Sequence, residues 1–224
     1  MAESAATFRS LVAAFTDFLT VAIHTILYER SIYPQTSFLL ARKYNFPVRQ
    51  NRHPRVCEWI NDAITAVETE LLKGGVERVA VVVFTKENVP LERFVFDVSQ
   101  FPTVPADDLD TLLERSGSEG EPEAILPLVD MEEQFRATMS KLSNCGTTLK
   151  PIPERCTFTV TIELKSEGQA PVSHPQPWIP AQAEAQKLPT DGNGTKGHNN
   201  RTTSVRSVRA GDMRFEAWIE EVEK

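Results

Sequence analysis

Three stretches of the chain carry apolar residues at the three- and four-residue spacing typical of a buried face of an α-helix. The first lies within residues 7–33, where Thr7 is a suitable N-cap and Pro34 disfavours continuation of the helix. Its breadth predicts a central core helix. The apolar positions are Phe8, Leu11, Val12, Phe15, Phe18, Leu19, Ala22, Ile23, Ile26 and Leu27.

The second helix is predicted to begin at Pro54, a favoured first-turn residue, and to end at Gly74 and Gly75. Trp59 lies on its apolar side, and the pattern leaves open whether Trp59 packs in the core or binds a partner. The third helix is expected over residues 129–144. Residues 42–48, between the first two helices, are expected to form a loop or a short extended piece.

Four segments have the composition or the alternation of β-strands. The buried run 79–84 and the segment 91–98 flank a turn, which predicts a β-hairpin. Residues 156–164 alternate apolar and Thr or Glu side chains, with Cys156 and Phe158 on the apolar side. Residues 213–220 alternate in the same way and predict a C-terminal strand.

Two segments have little periodicity. Residues 102–128 are rich in Pro, Gly and acids, which predicts a solvated insertion at about 115–128. Residues 166–212 are polar, with Trp178 in the one apolar island. A small basic patch at 204–209 is expected to be a solvated approach to the last strand. A polar stretch of about 45 residues is far longer than ordinary loops, so it is expected to be either disordered or functional.

These elements predict an α+β fold in which three helices pack on a largely antiparallel sheet. With 224 residues, one domain is expected, composed of a core at 1–165 and a long C-terminal segment at 166–224. The N-terminal apolar run lacks a basic leader and is interrupted by Asp17, so we interpret it as a structural helix. No uninterrupted apolar run reaches the length of a membrane span.

The charge of the chain argues against several functions. A formal net charge of −7 is unsuited to gripping nucleic acid by its phosphates, so no direct nucleic-acid partner and no membrane are expected. The three cysteines form no CxxC pair, which indicates a reducing compartment.

Residues that would indicate catalysis or metal binding do not form a recognisable set. The usual nucleotide, hydrolase and zinc-protease motifs are absent, and the four histidines lie far apart. His24 is expected to be a satisfied core or interface histidine, and Cys156 a small buried side chain. We therefore predict that the chain is not an enzyme and uses no cofactor or metal.

Several ordered segments make the sequence resemble the HORMA domain family. They are Ile23-His-Thr-Ile-Leu-Tyr-Glu-Arg-Ser-Ile-Tyr-Pro34, Lys43-Tyr-Asn-Phe-Pro-Val48, His53-Pro54, Val79-Ala-Val-Val-Val83, Glu92-Arg-Phe-Val-Phe96, Cys156-Thr-Phe-Thr-Val160, Pro177-Trp-Ile179 and Trp218-Ile-Glu-Glu221. The resemblance implies that residues 166–224 form a safety belt, a segment that wraps a partner peptide and docks its last strand on the sheet. The peptide itself adds to the sheet as a β-strand.

Within that family the sequence is most similar to the accessory subunits of translesion DNA polymerase zeta. This resemblance implies that Tyr33, Trp59 and Trp178 contact a proline-containing peptide of the catalytic subunit. It implies that Glu216 and Trp218 contact a Y-family scaffold polymerase, and that Arg136 lies in a HORMA dimer. The family has Tyr at position 59, and Gln and Tyr at positions 216 and 218, so the polar details of those contacts differ here.

The resemblance implies a nuclear, non-catalytic adaptor in translesion synthesis and DNA repair. One alternative keeps the fold but assigns the chain to the spindle checkpoint, with an anaphase-activator or checkpoint-receptor peptide as ligand. A remote alternative is a small enzyme that uses Cys156 or His24.

Overall fold

The computed structural model describes residues 7–116, 122–124, 128–165, 178, 201–210 and 213–222. Its helices are α1 (Phe8–Glu29), α2 (Pro54–Leu72), α3 (Leu128–Leu142) and the short α4 (Cys145–Thr148). Its strands are β1 (Phe38–Lys43), β2 (Phe46–Asn51), β3 (Val76–Phe84), β4 (Pro90–Asp97), β5 (Glu114–Ser116), β6 (Pro122–Ala124), β7 (Thr157–Leu164), β8 (Arg201–Ala210) and β9 (Met213–Glu221).

The main sheet has five antiparallel strands in the order β7-β3-β4-β9-β8. The helices α1, α2 and α3 contribute to one core that also contains the inward side chains of this sheet, so the predicted α+β fold is confirmed. Because β8 and β9 lie beside β4, the C-terminal hairpin is at the opposite side of the sheet from β7.

The first helix is the centre of that core, as its apolar face predicts. Phe15 and Phe18 are fully buried, and the ring of Phe18 stacks on that of Phe135 with the centroids 4.7 Å apart. By length and composition α1 is apolar enough to cross a membrane, but most of its apolar window is buried within the fold, as in the core helix of a globular protein.

The N-cap of α1 is as predicted, whereas its C-terminal end is not. Thr7 and Ser10 form a reciprocal capping box. The helix ends at Glu29, well before Pro34. Ser31 has a φ of 51°, and the backbone N–H groups of Ser31 and Ile32 donate to the carbonyls of Tyr28 and Leu27. This hydrogen-bond pattern is a Schellman motif, which ends the helix without proline.

The helix predictions at Pro54 and over 129–144 are confirmed by α2 and α3. The prediction of a loop or short extended piece at 42–48 is incomplete, because residues 38–51 form an antiparallel hairpin, β1–β2, separate from the main sheet. Tyr44 and Asn45 have φ values of 52° in its turn. In the acidic insertion the described backbone pairs β5 with β6.

The prediction that residues 204–209 are a solvated approach to the last strand is wrong, because they lie in β8. A β-bulge falls between Ser204 and Arg206, so that Val205 has no cross-strand partner. Val205 and Val208 are consequently both buried although they are three residues apart. Because buried residues of a regular strand are two positions apart, this spacing does not produce the alternation from which a strand is predicted.

Candidate functional site

The clearest candidate site is the outer edge of β7. Among the described residues, β7 pairs with β3 on one side and with no strand on the other. In an antiparallel strand, alternate residues direct their backbone N–H and C=O groups toward each neighbour, so an edge strand presents a row of groups that an added strand can bind. β7 therefore offers a template for an extended peptide.

Three aromatic side chains line this edge on the helix side of the sheet. Phe158 of β7 contacts Trp59 of α2 edge to face, with the ring centroids 4.9 Å apart, and contacts Tyr33 at 6.4 Å. Trp59 is 42% exposed although it lies on the apolar side of its helix. Core packing does not account for Trp59, whose exposed ring lies beside an unpaired strand edge.

Tyr33 reaches the cluster from the segment after α1. Its ring is partly buried, and burial raises the pKa of its hydroxyl because the phenolate would lose its hydration. At neutral pH the side chain is therefore an uncharged phenol. A neutral, partly buried aromatic platform suits proline and apolar side chains better than charged ones.

Trp178 lies against the same helix-side core and is partly buried. Its indole Nε1 is buried and has no hydrogen-bond partner among the described residues. The aromatic contacts of the described residues join Tyr33 and Trp59 through Phe158 and do not include Trp178. A role for Trp178 in the same site therefore stays a prediction, and the rest of the segment 166–200 lies outside the described residues.

Glu216 and Trp218 occupy the other face of the sheet, on β9. Glu216 is exposed, and Trp218 packs on a small apolar cluster formed by Ala80, Val82 and Val95. The Trp218 Nε1 donates to a carboxylate oxygen of Glu220 at 2.9 Å. These side chains are thus separated from Trp59 by the full thickness of the sheet.

Arg136 lies on α3 and is exposed. Its Nη2 donates to Oε1 of Glu133, one turn earlier on the same helix, at 2.7 Å. Among the described residues this surface pair is its only salt bridge, and such pairs hold a side chain weakly. Arg136 is therefore free to contact another molecule, and its place in a dimer stays a prediction.

A buried polar cluster attaches the last strand to α1 and β4. Arg30, the C-cap of α1, donates through Nε and Nη2 to both carboxylate oxygens of Glu92, and through Nη2 to the carbonyl of Lys150. The backbone N–H of Lys150 in turn donates to Oε1 of Glu221 at 3.0 Å. Glu221 faces Glu92 across the β4–β9 pair. The cluster therefore couples the end of β9 to the core.

No group of three or more His, Cys, Asp or Glu side chains within the described part of the chain has the arrangement of a metal site. His24 is buried and accepts a hydrogen bond from the backbone N–H of Asn51 through Nδ1, so the expectation of a satisfied core histidine is confirmed. Burial lowers its pKa to about 4, which keeps it neutral.

Sequence reasoning missed two features of this site. Phe158 was expected to be an ordinary core residue, but Trp59 and Tyr33 converge on it. The free edge of β7 was also not predicted, because alternation of apolar and polar residues reports the two faces of a strand and does not distinguish an edge strand from an interior one. Its neighbours depend on contacts with β3, which is more than 70 residues earlier in the chain.

The described residues thus form an α+β fold with an aromatic platform beside an edge strand of the main sheet and a C-terminal hairpin at the opposite side. The sequence pattern of the HORMA domain matches residues 12–212, and the chain belongs to this family.

Two curated relatives show the branch of the family that this chain resembles. The chain is 36% identical to the "DNA polymerase zeta processivity subunit" of Schizosaccharomyces pombe, over 95% of this chain and 93% of the relative. It is 31% identical to "Mitotic spindle assembly checkpoint protein MAD2B" of Bos taurus, over 92% of this chain and 88% of the relative. These names support a HORMA adaptor role.

Solved structures support the fold. A chain of the "Crystal Structure of Mitotic Checkpoint Complex" superposes with a TM-score of 0.69 and 17% identity, covering 94% of this chain and 98% of the other. HTP-1 of C. elegans, whose structure is described as bound to the HIM-3 closure motif, gives a TM-score of 0.65 and 14% identity, covering 97% and 92%.

Proposed function

We propose that this protein is a non-catalytic adaptor that captures an extended peptide along the free edge of β7, beneath the safety belt of residues 166–224. The observation that carries the proposal is the open strand edge with Tyr33, Trp59 and Phe158 beside it. In this arrangement backbone hydrogen bonds supply affinity, and the aromatic platform supplies specificity.

The position of the C-terminal hairpin supports entrapment. The belt leaves the core at β7, at one side of the sheet, and returns as β8 and β9 at the other. The belt thus connects the two sides of the sheet, and a peptide bound beneath it can escape only after the belt opens. Slow release is therefore expected without a large interface.

The proposed ligand is a proline-containing peptide of the catalytic subunit of DNA polymerase zeta. Support comes from the relative named as a processivity subunit of that polymerase, which matches nearly the whole chain. An exposed indole such as that of Trp59 is also a favourable surface for a proline ring. With this ligand the protein would act in translesion synthesis, in the nucleus.

The opposite sheet face is proposed to bind the Y-family scaffold polymerase. Trp218 and Glu216 lie on the solvent-facing side of β9, so a partner can bind there while a peptide occupies β7. The two surfaces together would make the protein a bridge. Arg136 is proposed to lie in a homo- or heterodimer interface through α3.

Two of the three cysteines, Cys145 and Cys156, do not favour an enzymatic role. Cys156 lies just before β7 and is only partly buried, so the expectation of a buried side chain is wrong. This partial burial still raises the pKa of the Cys156 thiol, and burial raises that of Cys145 to about 12. A nucleophilic cysteine needs a lowered pKa, because the thiolate is the reactive form. At neutral pH both thiols are protonated, which supports a non-catalytic role.

The test is binding of a fluorescent peptide from the polymerase zeta catalytic subunit, with the scaffold polymerase's C-terminal domain as a second ligand. Trp59→Ala is expected to weaken peptide binding by at least about 30-fold, the loss of an aromatic hot spot, and to leave scaffold binding unchanged. Trp218→Ala is the matched control, since it removes the same side chain from the other face. It should weaken scaffold binding and spare the peptide.

Hydrogen exchange provides a direct readout of strand addition. Peptide binding is expected to slow exchange of alternate β7 amides, which face the open edge in the free protein. Wild-type protein that fails to bind the peptide, or Trp59→Ala protein that binds it normally, would contradict the proposal. Stronger binding of an anaphase-activator peptide in competition would instead assign the chain to the spindle checkpoint.

A further inference from the structure

The β1–β2 hairpin is a basic region in an acidic protein. The hairpin, residues 38–51, contains three Arg or Lys side chains and no Asp or Glu, whereas the rest of the chain has 21 basic and 31 acidic side chains. A charge distribution this uneven creates a local positive potential that attracts an oppositely charged partner.

The hairpin also exposes an aliphatic side chain at its centre. Leu40 is 63% exposed, the largest exposure among the big hydrophobic side chains that the described residues include. It lies opposite Arg49 across the hairpin and two residues before Arg42, so these three side chains share one face. Beside Leu40 and Pro47 is a groove of about 430 Å³.

Two arginines of this face form no close salt bridge within the described part of the chain, although Arg49 is near enough to Glu29 to oppose the rise that burial causes in the pKa of that carboxyl. Arg42 donates to the side chain of Asn45, and Arg49 lies over the ring of Tyr28 at 4.8 Å. Lys43, on the other face, instead pairs with Asp17. A partner's carboxylates would therefore gain charge-assisted hydrogen bonds without displacing an existing ion pair.

The hairpin is held firmly by the core. Phe38, Tyr44 and Val48 are buried, and the side chain of Asn51 donates to Ser37 at 3.1 Å. Leu40 is thus presented on a rigid element, so its exposure does not result from a loose segment. Preorganised surfaces bind with a smaller loss of conformational entropy.

From these observations we propose that the Leu40 face of the hairpin is a second docking surface, which binds an acidic peptide segment with an apolar anchor in another protein. The anchor would lie in the groove beside Leu40, and carboxylates on either side would contact Arg42 and Arg49. This site is distinct from the edge of β7.

Other occupants fit the face less well. Single-stranded nucleic acid is usually bound through exposed aromatic rings, and this face presents a leucine and a proline instead. A membrane surface would need several apolar side chains in one plane. The neighbouring exposed leucine, Leu39, points to the opposite face of the hairpin, since successive residues of a strand alternate.

A random dodecapeptide phage library selected on the full-length protein tests the proposal. The peptides of interest are those retained by wild type and Trp59→Ala protein but not by the double variant Leu40→Ser, Arg42→Glu. We expect them to contain at least three carboxylates around a Leu, Ile or Phe. Both substituted side chains are exposed, so the unfolding midpoint of the double variant should match that of wild type.

A synthetic copy of the most enriched peptide then gives affinities. Binding should weaken at least 10-fold in Leu40→Ser, in Arg42→Glu, and when the apolar anchor of the peptide is replaced by Ser. Lys86→Glu, an exposed charge reversal in the turn after β3, is the matched control and should not change binding.

Three results would overturn the proposal. One is the absence of peptides that discriminate wild type from the double variant, and another is enrichment of neutral or basic peptides. The third is tighter binding of a thymidine 20-mer, or of vesicles that contain phosphatidylserine, with the same dependence on Arg42 and Leu40. If Trp59→Ala protein fails to bind the polymerase zeta peptide, this test is unaffected, because the selection counts only peptides that Trp59→Ala protein still retains.

Discussion

Replacing Arg30 by Met tests the buried cluster that couples α1 to the end of the sheet. The side chains of Arg30 and Glu92 are only 4% and 3% exposed, and two hydrogen bonds join them. Met has a similar length and no charge, so the substitution leaves the Glu92 carboxylate buried without its partner. Breaking a buried pair in this way costs about 3–5 kcal/mol, a large part of the stability of a domain.

The loss of folding stability in Arg30→Met should depend on pH. Burial raises the pKa of Glu92, and the adjacent Arg30 acts in the opposite direction, so removing Arg30 raises this pKa further. A carboxyl whose folded pKa exceeds its unfolded value destabilises the fold as pH rises through that interval. Arg30→Met should therefore be closer to wild type at pH 5 than at pH 8, and Glu92→Gln should partly rescue it at pH 8.

Urea unfolding at both pH values measures these differences, with Arg9→Met as the matched control. Arg9 makes the same two-point contact with Asp110, through Nε and Nη2, but on the surface. Water and salt screen such a pair, so its loss should be barely resolved. If Arg30→Met and Arg9→Met had equal effects, or if the effect of Arg30→Met did not depend on pH, the assigned role of burial would be refuted.

Three further predictions concern the core. The pKa of His24 is about 4 in the fold, against an ordinary value near 6.5, so the unfolded chain takes up a proton before the folded one does. The free energy of unfolding should therefore fall by up to about 3 kcal/mol as the pH drops from 6.5 to 4. His24→Gln should flatten this pH dependence in urea titrations. Thr7→Ala removes the capping box of α1 and should cost about 1 kcal/mol in the same assay; an unchanged midpoint would contradict the capping role. Phe135→Ala removes a fully buried ring that stacks on Phe18 and should cost about 3–5 kcal/mol, which a thermal melt would detect; a loss below that of Thr7→Ala would be inconsistent with this packing.

Local patterns predicted much of the fold. The apolar stripes of α1, α2 and α3 were readable because a helical face depends on residues three and four positions apart. The alternation of β9 was readable for the same reason, since its buried residues follow one another at every second position. Each of these elements is specified by residues close together in the chain.

The errors occurred where a tertiary contact overrides the local pattern. The bulge in β8 lies where that strand pairs with β9, and it places the buried Val205 and Val208 out of alternation. The hairpin at 38–51 was obscured by Pro47 and by exposed Leu39 and Leu40, which do not alternate with polar residues as a half-buried strand would. Such irregularities reflect packing against other segments of the fold, which the local sequence does not identify.

The sequence by itself determined α1, α2 and α3, the strands β3, β4, β7 and β9, the α+β class, and the resemblance to the HORMA family, since all of these depend on residue order. Only the tertiary structure decided that β7 is an edge strand among the described residues, that Trp59 is exposed beside Phe158, and that Arg30, Glu92 and Glu221 meet in the interior. The physical reason is that strand neighbours and side-chain burial result from packing between segments far apart in the chain. No local periodicity encodes which segments those are.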